Sequence, residues 1–125
     1  MCSSDLNFAG TGGESISKEP GKFYLRALDP RTGEKRWEYP MTGRGDMWAG
    51  TVSTAGGLVF FGDDDGQLVA LDAATGRHLW HYYLGQNLTA SPITFMADGK
   101  QYVTIAAATD VFTFALFEPQ AGGRK

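Results

Sequence analysis

The chain has 125 residues and a net charge of −3 with both signs scattered, so no basic stripe follows a phosphate backbone and nucleic acid is not expected as a partner. No stretch approaches the roughly 18 consecutive apolar residues of a membrane-spanning helix, and the first residues lack the basic, apolar, small-residue order of a signal peptide. Gly is abundant at 17, aromatic residues reach 13% and helix-favouring runs are absent, which predicts an all-β chain of short strands and tight turns. The single cysteine, Cys2, cannot form an internal disulfide and leaves the redox compartment unread.

Along the chain, residues 1–22 are Gly, Ser and charge with little periodicity, and are expected to be disordered. Within them Cys2-Ser3-Ser4-Asp5-Leu6 resembles the translation of a sequencing-adapter end, so Met1 to Leu6 is expected to be foreign to the gene. Order is expected over residues 23–118, with residues 119–125 a flexible tail. Phe23 to Leu28 and Lys35 to Tyr39 read as two strands around a turn, followed by a connection from Pro40 to Trp48. Four strands come next, Ala49 to Thr54, Leu58 to Gly62, Gln67 to Leu71 and His78 to Leu84. Ala55-Gly56-Gly57, Asp64-Asp65-Gly66 and Asp72 to Gly76 supply the turns between them. A last set runs through Ala90 to Phe95, Gln101 to Ala106 after an Asp98-Gly99 turn, and Val111 to Phe117.

Two of these turns repeat one another. Ala27 to Trp37 and Ala70 to Trp80 share the pattern Ala-Leu-Asp-x-x-Thr-Gly-x-x-x-Trp, 43 residues apart. A period of roughly 40 to 45 residues is a propeller blade, since one four-stranded sheet cannot bury both faces until neighbours stack on it. A closed ring takes about four to eight blades, so a chain of just under three repeats is expected to be a piece of a larger protein. The third repeat has no Asp-x-x-Thr-Gly and no Trp, which fits a last blade that takes its fourth strand from elsewhere, removing an open edge.

Each residue of the motif has an architectural reason. Asp29 and Asp72 can accept hydrogen bonds from backbone N–H groups two residues on, and Gly33 and Gly76 supply a conformation with φ > 0. Thr32 and Thr75 offer a hydroxyl to the turn backbone, and Trp37 and Trp80 open the outer strand, where each can bury on the order of 200 Å² against a neighbouring blade. Small Ala27 and Ala70 leave room for a ring.

The paired motif resembles the tryptophan-docking repeat of the quinoprotein alcohol dehydrogenases, eight-bladed propellers that carry pyrroloquinoline quinone (PQQ). The likeness extends, in order, through Trp48-Ala49-Gly50-Thr51, Ser53 to Phe60, Gly62-Asp63 with Asp65-Gly66, and Asp98 to Val103, covering roughly Phe23 to Phe117. The resemblance implies that Trp48, which the repeat does not explain, provides the flat surface on which the quinone ring stacks; a large rigid indole suits that task. The alternative is a Trp that plugs an empty channel or packs under a loop. The resemblance also places Ala106 to Phe112 near the cofactor carboxylates, with Asp110 and Val111 as contacts through backbone groups. Methanol dehydrogenase-like members have a Gly-rich stretch with a second Trp there, so Thr109-Asp110-Val111-Phe112 points to an ethanol or broader alcohol dehydrogenase-like branch.

For the full-length protein the resemblance implies a periplasmic enzyme that oxidises a small alcohol to an aldehyde beside a calcium or lanthanide ion. A catalytic Asp would take the hydroxyl proton, hydride would pass to the quinone, and electrons would go to a cytochrome c. The catalytic Asp and the cation ligands are not expected within these residues. The rival is a non-catalytic propeller of the outer-membrane assembly lipoprotein type, which has no reason to keep Trp48. A sensor with a propeller domain is a second rival. Asp63-Asp64-Asp65-Gly66 lacks the spacing of a calcium loop and reads as a solvated turn. His78 and His81, three apart on a strand, are expected on opposite faces, which argues against a shared metal. Arg44-Gly45-Asp46 and Gly10-Thr11-Gly12-Gly13 carry no supporting context.

Overall fold

A computed structural model describes residues 22–41 and 48–116. The expected disordered start, the Arg44-Gly45-Asp46 tripeptide and the tail lie outside them, except for Lys22. The described residues form nine strands and no helix. In chain order these are β1 (Tyr24–Leu28), β2 (Lys35–Pro40), β3 (Thr51–Ser53), β4 (Leu58–Gly62), β5 (Gln67–Asp72), β6 (His78–Tyr83), β7 (Ile93–Ala97), β8 (Lys100–Ala107) and β9 (Asp110–Ala115). They pair as three antiparallel meanders, β1-β2, β3-β4-β5-β6 and β7-β8-β9, which are the half blade, whole blade and three-stranded blade expected from the sequence.

Three strands begin later than expected, β1 at Tyr24 and, more markedly, β3 and β7. Gly50 donates its N–H to Ser91 Oγ (3.1 Å) instead of to a ladder, so β3 begins only at Thr51. Pro92 has no N–H to offer, and β7 begins after it at Ile93.

The turns follow their chemistry. Asp29 Oδ1 accepts N–H bonds from Arg31 (2.9 Å) and Thr32 (3.3 Å), and Asp72 Oδ1 accepts from Ala74 (3.0 Å) and Thr75 (2.9 Å). The hydroxyls of Thr32 and Thr75 accept from the N–H of Glu34 (3.2 Å) and Arg77 (3.3 Å). At Asp98-Gly99 both residues have positive φ, 49° and 74°, the conformation that two-residue hairpins favour.

The blades stack face to face. Phe61, Val69 and Leu71 of the middle blade meet Leu25, Trp37, Tyr39 and Met41 of the first. On its other face Leu68, with Leu84 and Leu88, meets Val103, Ile105 and Ala107 of the third. Strand β5 therefore serves both interfaces, Leu68 on one side and Val69 and Leu71 on the other, and its apolar core is buried throughout. Burial of a side chain such as Leu68 or Leu71 contributes roughly 1.5–3 kcal/mol, and neither face could be buried by one sheet alone.

Trp37 shows what the motif holds. Its indole N–H donates to the Ala73 carbonyl (2.9 Å), and its ring lies so close to Gly76 that a Cβ there would sit 2.6 Å from it. Gly76 also has φ of 72°, so this position excludes a side chain for two independent reasons. The glycine serves the neighbouring blade's tryptophan as well as its own turn.

Both copies of the motif also contain a β-bulge. The register steps from Ala27↔Trp37 to Leu28↔Lys35, leaving Arg36 unpaired, and from Ala70↔Trp80 to Leu71↔His78, leaving Leu79 unpaired. A bulge shifts the in–out alternation of the strand by one residue.

Candidate cofactor-binding end

The start of β3, the β4–β5 turn, the end of β6 and the β8–β9 turn all lie at one end of the stacked sheets. Residues 84–92, which join β6 to β7, tie this end together. Leu84 donates its N–H to the Gly66 carbonyl (2.9 Å), while Leu84 and Leu88 are buried in the core. Gln86 Nε2 donates to Asp110 Oδ2 (2.9 Å), and Ser91 Oγ holds the Gly50 N–H.

Trp48 stands two residues before that held backbone. Ala49 packs partly buried against the Leu84 and Leu88 cluster, and a Cβ on Gly50 would lie 2.2 Å from Ser91 Oγ. The Ala-Gly pair thus seats the segment against the next blade while leaving Trp48 outside it, 67% exposed.

Asp110 and Val111 open β9 immediately after the Ala108-Thr109 turn, at the same end. Val111 is 69% exposed. The Asp110 carboxylate is occupied by the Gln86 amide, so its charge is directed toward residues 84–92. Ala108 adopts φ of 50°, a left-handed conformation that costs an L residue roughly 1–2 kcal/mol. The three expected site residues therefore lie at one end, where Asp110 and the Gly50 that follows Trp48 are each bonded to the same connecting segment. Sequence reasoning missed the two ties themselves, Gln86 and Ser91, which lie in a stretch without a motif.

The Asp63–Asp65 run is a turn, as expected, but not a fully solvated one. Asp63 is buried, and its Oδ1 accepts N–H bonds from Gln67 (2.8 Å) and Asp65 (3.0 Å). Burial pushes its carboxyl above the usual carboxylate range, the two N–H bonds pull it down, and neighbouring Asp64 and Asp65 push it further up. Beside it lies an open polar depression of about 390 Å³ between the turn and Gly85, Gln86 and Asn87. Among the described residues no group of three or more His, Cys, Asp or Glu could hold a metal ion.

The expected separation of His78 and His81 is overturned. His81 Nδ1 and His78 Nε2 are 3.1 Å apart, because the bulge at Leu79 places both side chains on the same sheet face as their ladder partners Leu71 and Val69, the face turned toward Tyr39.

Comparison with known proteins identifies the family. The family model for the β-propeller domain of glucose, ethanol and alcohol dehydrogenases that use PQQ matches residues 40–103, half of the chain. The quinoprotein ethanol dehydrogenase of Pseudomonas putida is 43% identical over 81 residues, 65% of this chain and 13% of its own length. The methanol dehydrogenase [cytochrome c] subunit 1 of Paracoccus denitrificans is 34% identical over 116 residues, 89% of this chain and 18% of its own. Among solved structures, the quinohemoprotein alcohol dehydrogenase of Comamonas testosteroni superposes with a TM-score of 0.68 at 34% identity, covering 84% of this chain and 18% of that one. The chain thus spans under a fifth of the length of these relatives. It belongs to the PQQ β-propeller family of the glucose, ethanol and alcohol dehydrogenases.

Proposed function

We propose that this chain is a stretch of the propeller of a PQQ-dependent alcohol dehydrogenase whose full-length form oxidises a small alcohol to an aldehyde in the periplasm. The observation that carries the reading is Trp48, an exposed indole at the end where Asp110 and Val111 also lie. When bound, PQQ supplies the two-electron oxidant that takes up hydride. A calcium or lanthanide ion would accompany it, with ligands outside the described residues, and a cytochrome c would accept the electrons.

The residues here fit a planar, polyanionic group in a specific way. Trp48 offers a large apolar face that loses little entropy when a ring stacks on it, and its backbone is fixed two residues later by the Gly50–Ser91 bond. Val111 offers an exposed apolar surface at the same end. Asp110 would repel a carboxylate, but Gln86 holds its side chain, so its contribution falls to its backbone. The ethanol or broader alcohol branch is supported by Thr109-Asp110-Val111-Phe112, which stands where the methanol dehydrogenase-like members are expected to have a Gly-rich stretch with a second Trp.

The test is an equilibrium titration of the full-length apoprotein with PQQ, comparing wild type with Trp48→Ala. Loss of the stacking face should weaken PQQ binding roughly tenfold, the equivalent of about 1.4 kcal/mol. Equal affinity in the two proteins would remove Trp48 from the site.

A further inference from the structure

The two histidines of the chain form a pair that the dehydrogenase reading does not use. His78 and His81 lie on the outermost strand of the middle blade, both exposed, and their facing nitrogens are 3.1 Å apart with ring centroids at 5.1 Å. Strand parity alone would have parted them. The bulge at Leu79 brings them together, with Leu71 opposite His78 and Val69 opposite His81 across the ladder.

We propose that His78 and His81 form a bidentate site for a divalent first-row transition metal ion, Cu²⁺ in preference to Ni²⁺ or Zn²⁺. Imidazole nitrogens bind such ions at about 2.0–2.1 Å, so two of them on one ion stand about 2.9 Å apart at a right angle and about 3.3 Å apart at a tetrahedral angle. The observed separation falls between these values. In the metal-free pair one facing nitrogen carries the proton and the other accepts it. On binding, the donor ring moves that proton to its other nitrogen, both facing nitrogens present lone pairs, and no net proton is released.

Tyr39 of the neighbouring blade stacks on His78 with ring centroids 6.3 Å apart and planes 18° from parallel, which restrains one ring of the chelate. Among the described residues no third His, Cys, Asp or Glu completes the set, so water fills the remaining positions. Two neutral nitrogen ligands favour Cu²⁺ by the usual order of divalent affinities and give no advantage to calcium or a lanthanide, which prefer oxygen. The site is thus chemically distinct from the cation expected beside PQQ.

The experiment is a Cu²⁺ titration of the full-length protein followed by electron paramagnetic resonance, with wild type compared with His78→Gln, His81→Gln and the double variant. Because both side chains are exposed, the variants should keep the wild-type circular dichroism spectrum. Wild type should bind one Cu²⁺ more than the double variant, with hyperfine structure from two imidazole nitrogens in the difference spectrum. Each single variant should lose that two-nitrogen signal, and a large excess of Ca²⁺ should leave it unchanged in wild type. Identical stoichiometry and spectra in wild type and double variant would overturn the proposal, as would displacement of the signal by Ca²⁺.

Discussion

The two copies of the repeat share a backbone but not a set of partners. In the first blade the bulge residue Arg36 reaches back to Asp29 (2.6 Å) and Lys35 pairs with Glu38 (3.1 Å). In the second, the bulge residue is Leu79, Asp72 is bonded instead by the Thr75 hydroxyl (2.9 Å), and the place of the Lys35–Glu38 pair is taken by His78 and His81. The tryptophans differ as well. Trp37 is seated on Gly76 and bonded to Ala73, whereas Trp80, 38% exposed, meets Phe114 edge-on at 5.4 Å. The shared residues therefore determine the path of the chain, and the unshared ones determine what that path carries.

The motif glycines give the sharpest test of this difference. Gly76→Ala should destabilise the full-length protein by about 3 kcal/mol, since it adds a clash with Trp37 to the strain of a positive φ. Gly33→Ala meets nothing within 4 Å among the described residues, so within this stretch only φ opposes it, at about 1 kcal/mol. Denaturant unfolding measures the Gly76→Ala loss; a loss of about 1 kcal/mol, that of φ alone, would mean that Trp37 does not press on Gly76.

The tryptophans should differ less. Trp37→Phe removes the indole N–H that the Ala73 carbonyl accepts from, and should cost about 2 kcal/mol. Trp80→Phe keeps an aromatic contact with Phe114 and should cost under about 1 kcal/mol. Thermal unfolding of both variants measures this, and a larger loss for Trp80 would reverse the assignment of the docked ring.

The smallest effect is expected on the acid limb of stability. Arg36 and the turn N–H groups hold the Asp29 carboxyl below the usual carboxylate range, and the Thr75 hydroxyl and N–H do the same for Asp72. Their folded-state values lie below the unfolded ones, so their stabilisation is present above the ordinary carboxylate range and is lost as the pH falls through it and below. Asp63 has the opposite sign: burial raises it, so ionising it opposes folding, and that opposition is relieved as the pH falls through its raised value. Urea midpoints between pH 3 and 6 should fall less steeply in Asp29→Asn and Asp72→Asn than in wild type, and more steeply in Asp63→Asn.

What could be read from the sequence was what depends on neighbours along the chain. The Asp-x-x-Thr-Gly turns, the Asp98-Gly99 hairpin and the blade period are local or periodic, and each strand lies where its turns demand. What could not be read depended on register or on distant contact. Residue spacing put His78 and His81 on opposite faces because a bulge has no spacing of its own. Nothing near Gly76 says that a tryptophan from 39 residues earlier lies on it. Trp48 stands out because the repeat leaves it unexplained, whereas Gln86 and Ser91 act through single hydrogen bonds with no pattern to mark them.

The most direct test of the account is a crystal structure of the full-length protein with PQQ bound. The account predicts the Trp48 indole within about 4 Å of the quinone ring, with the Asp110 carboxylate still held by Gln86. A cofactor bound at the opposite end of the propeller, or an indole turned away from it, would contradict the account.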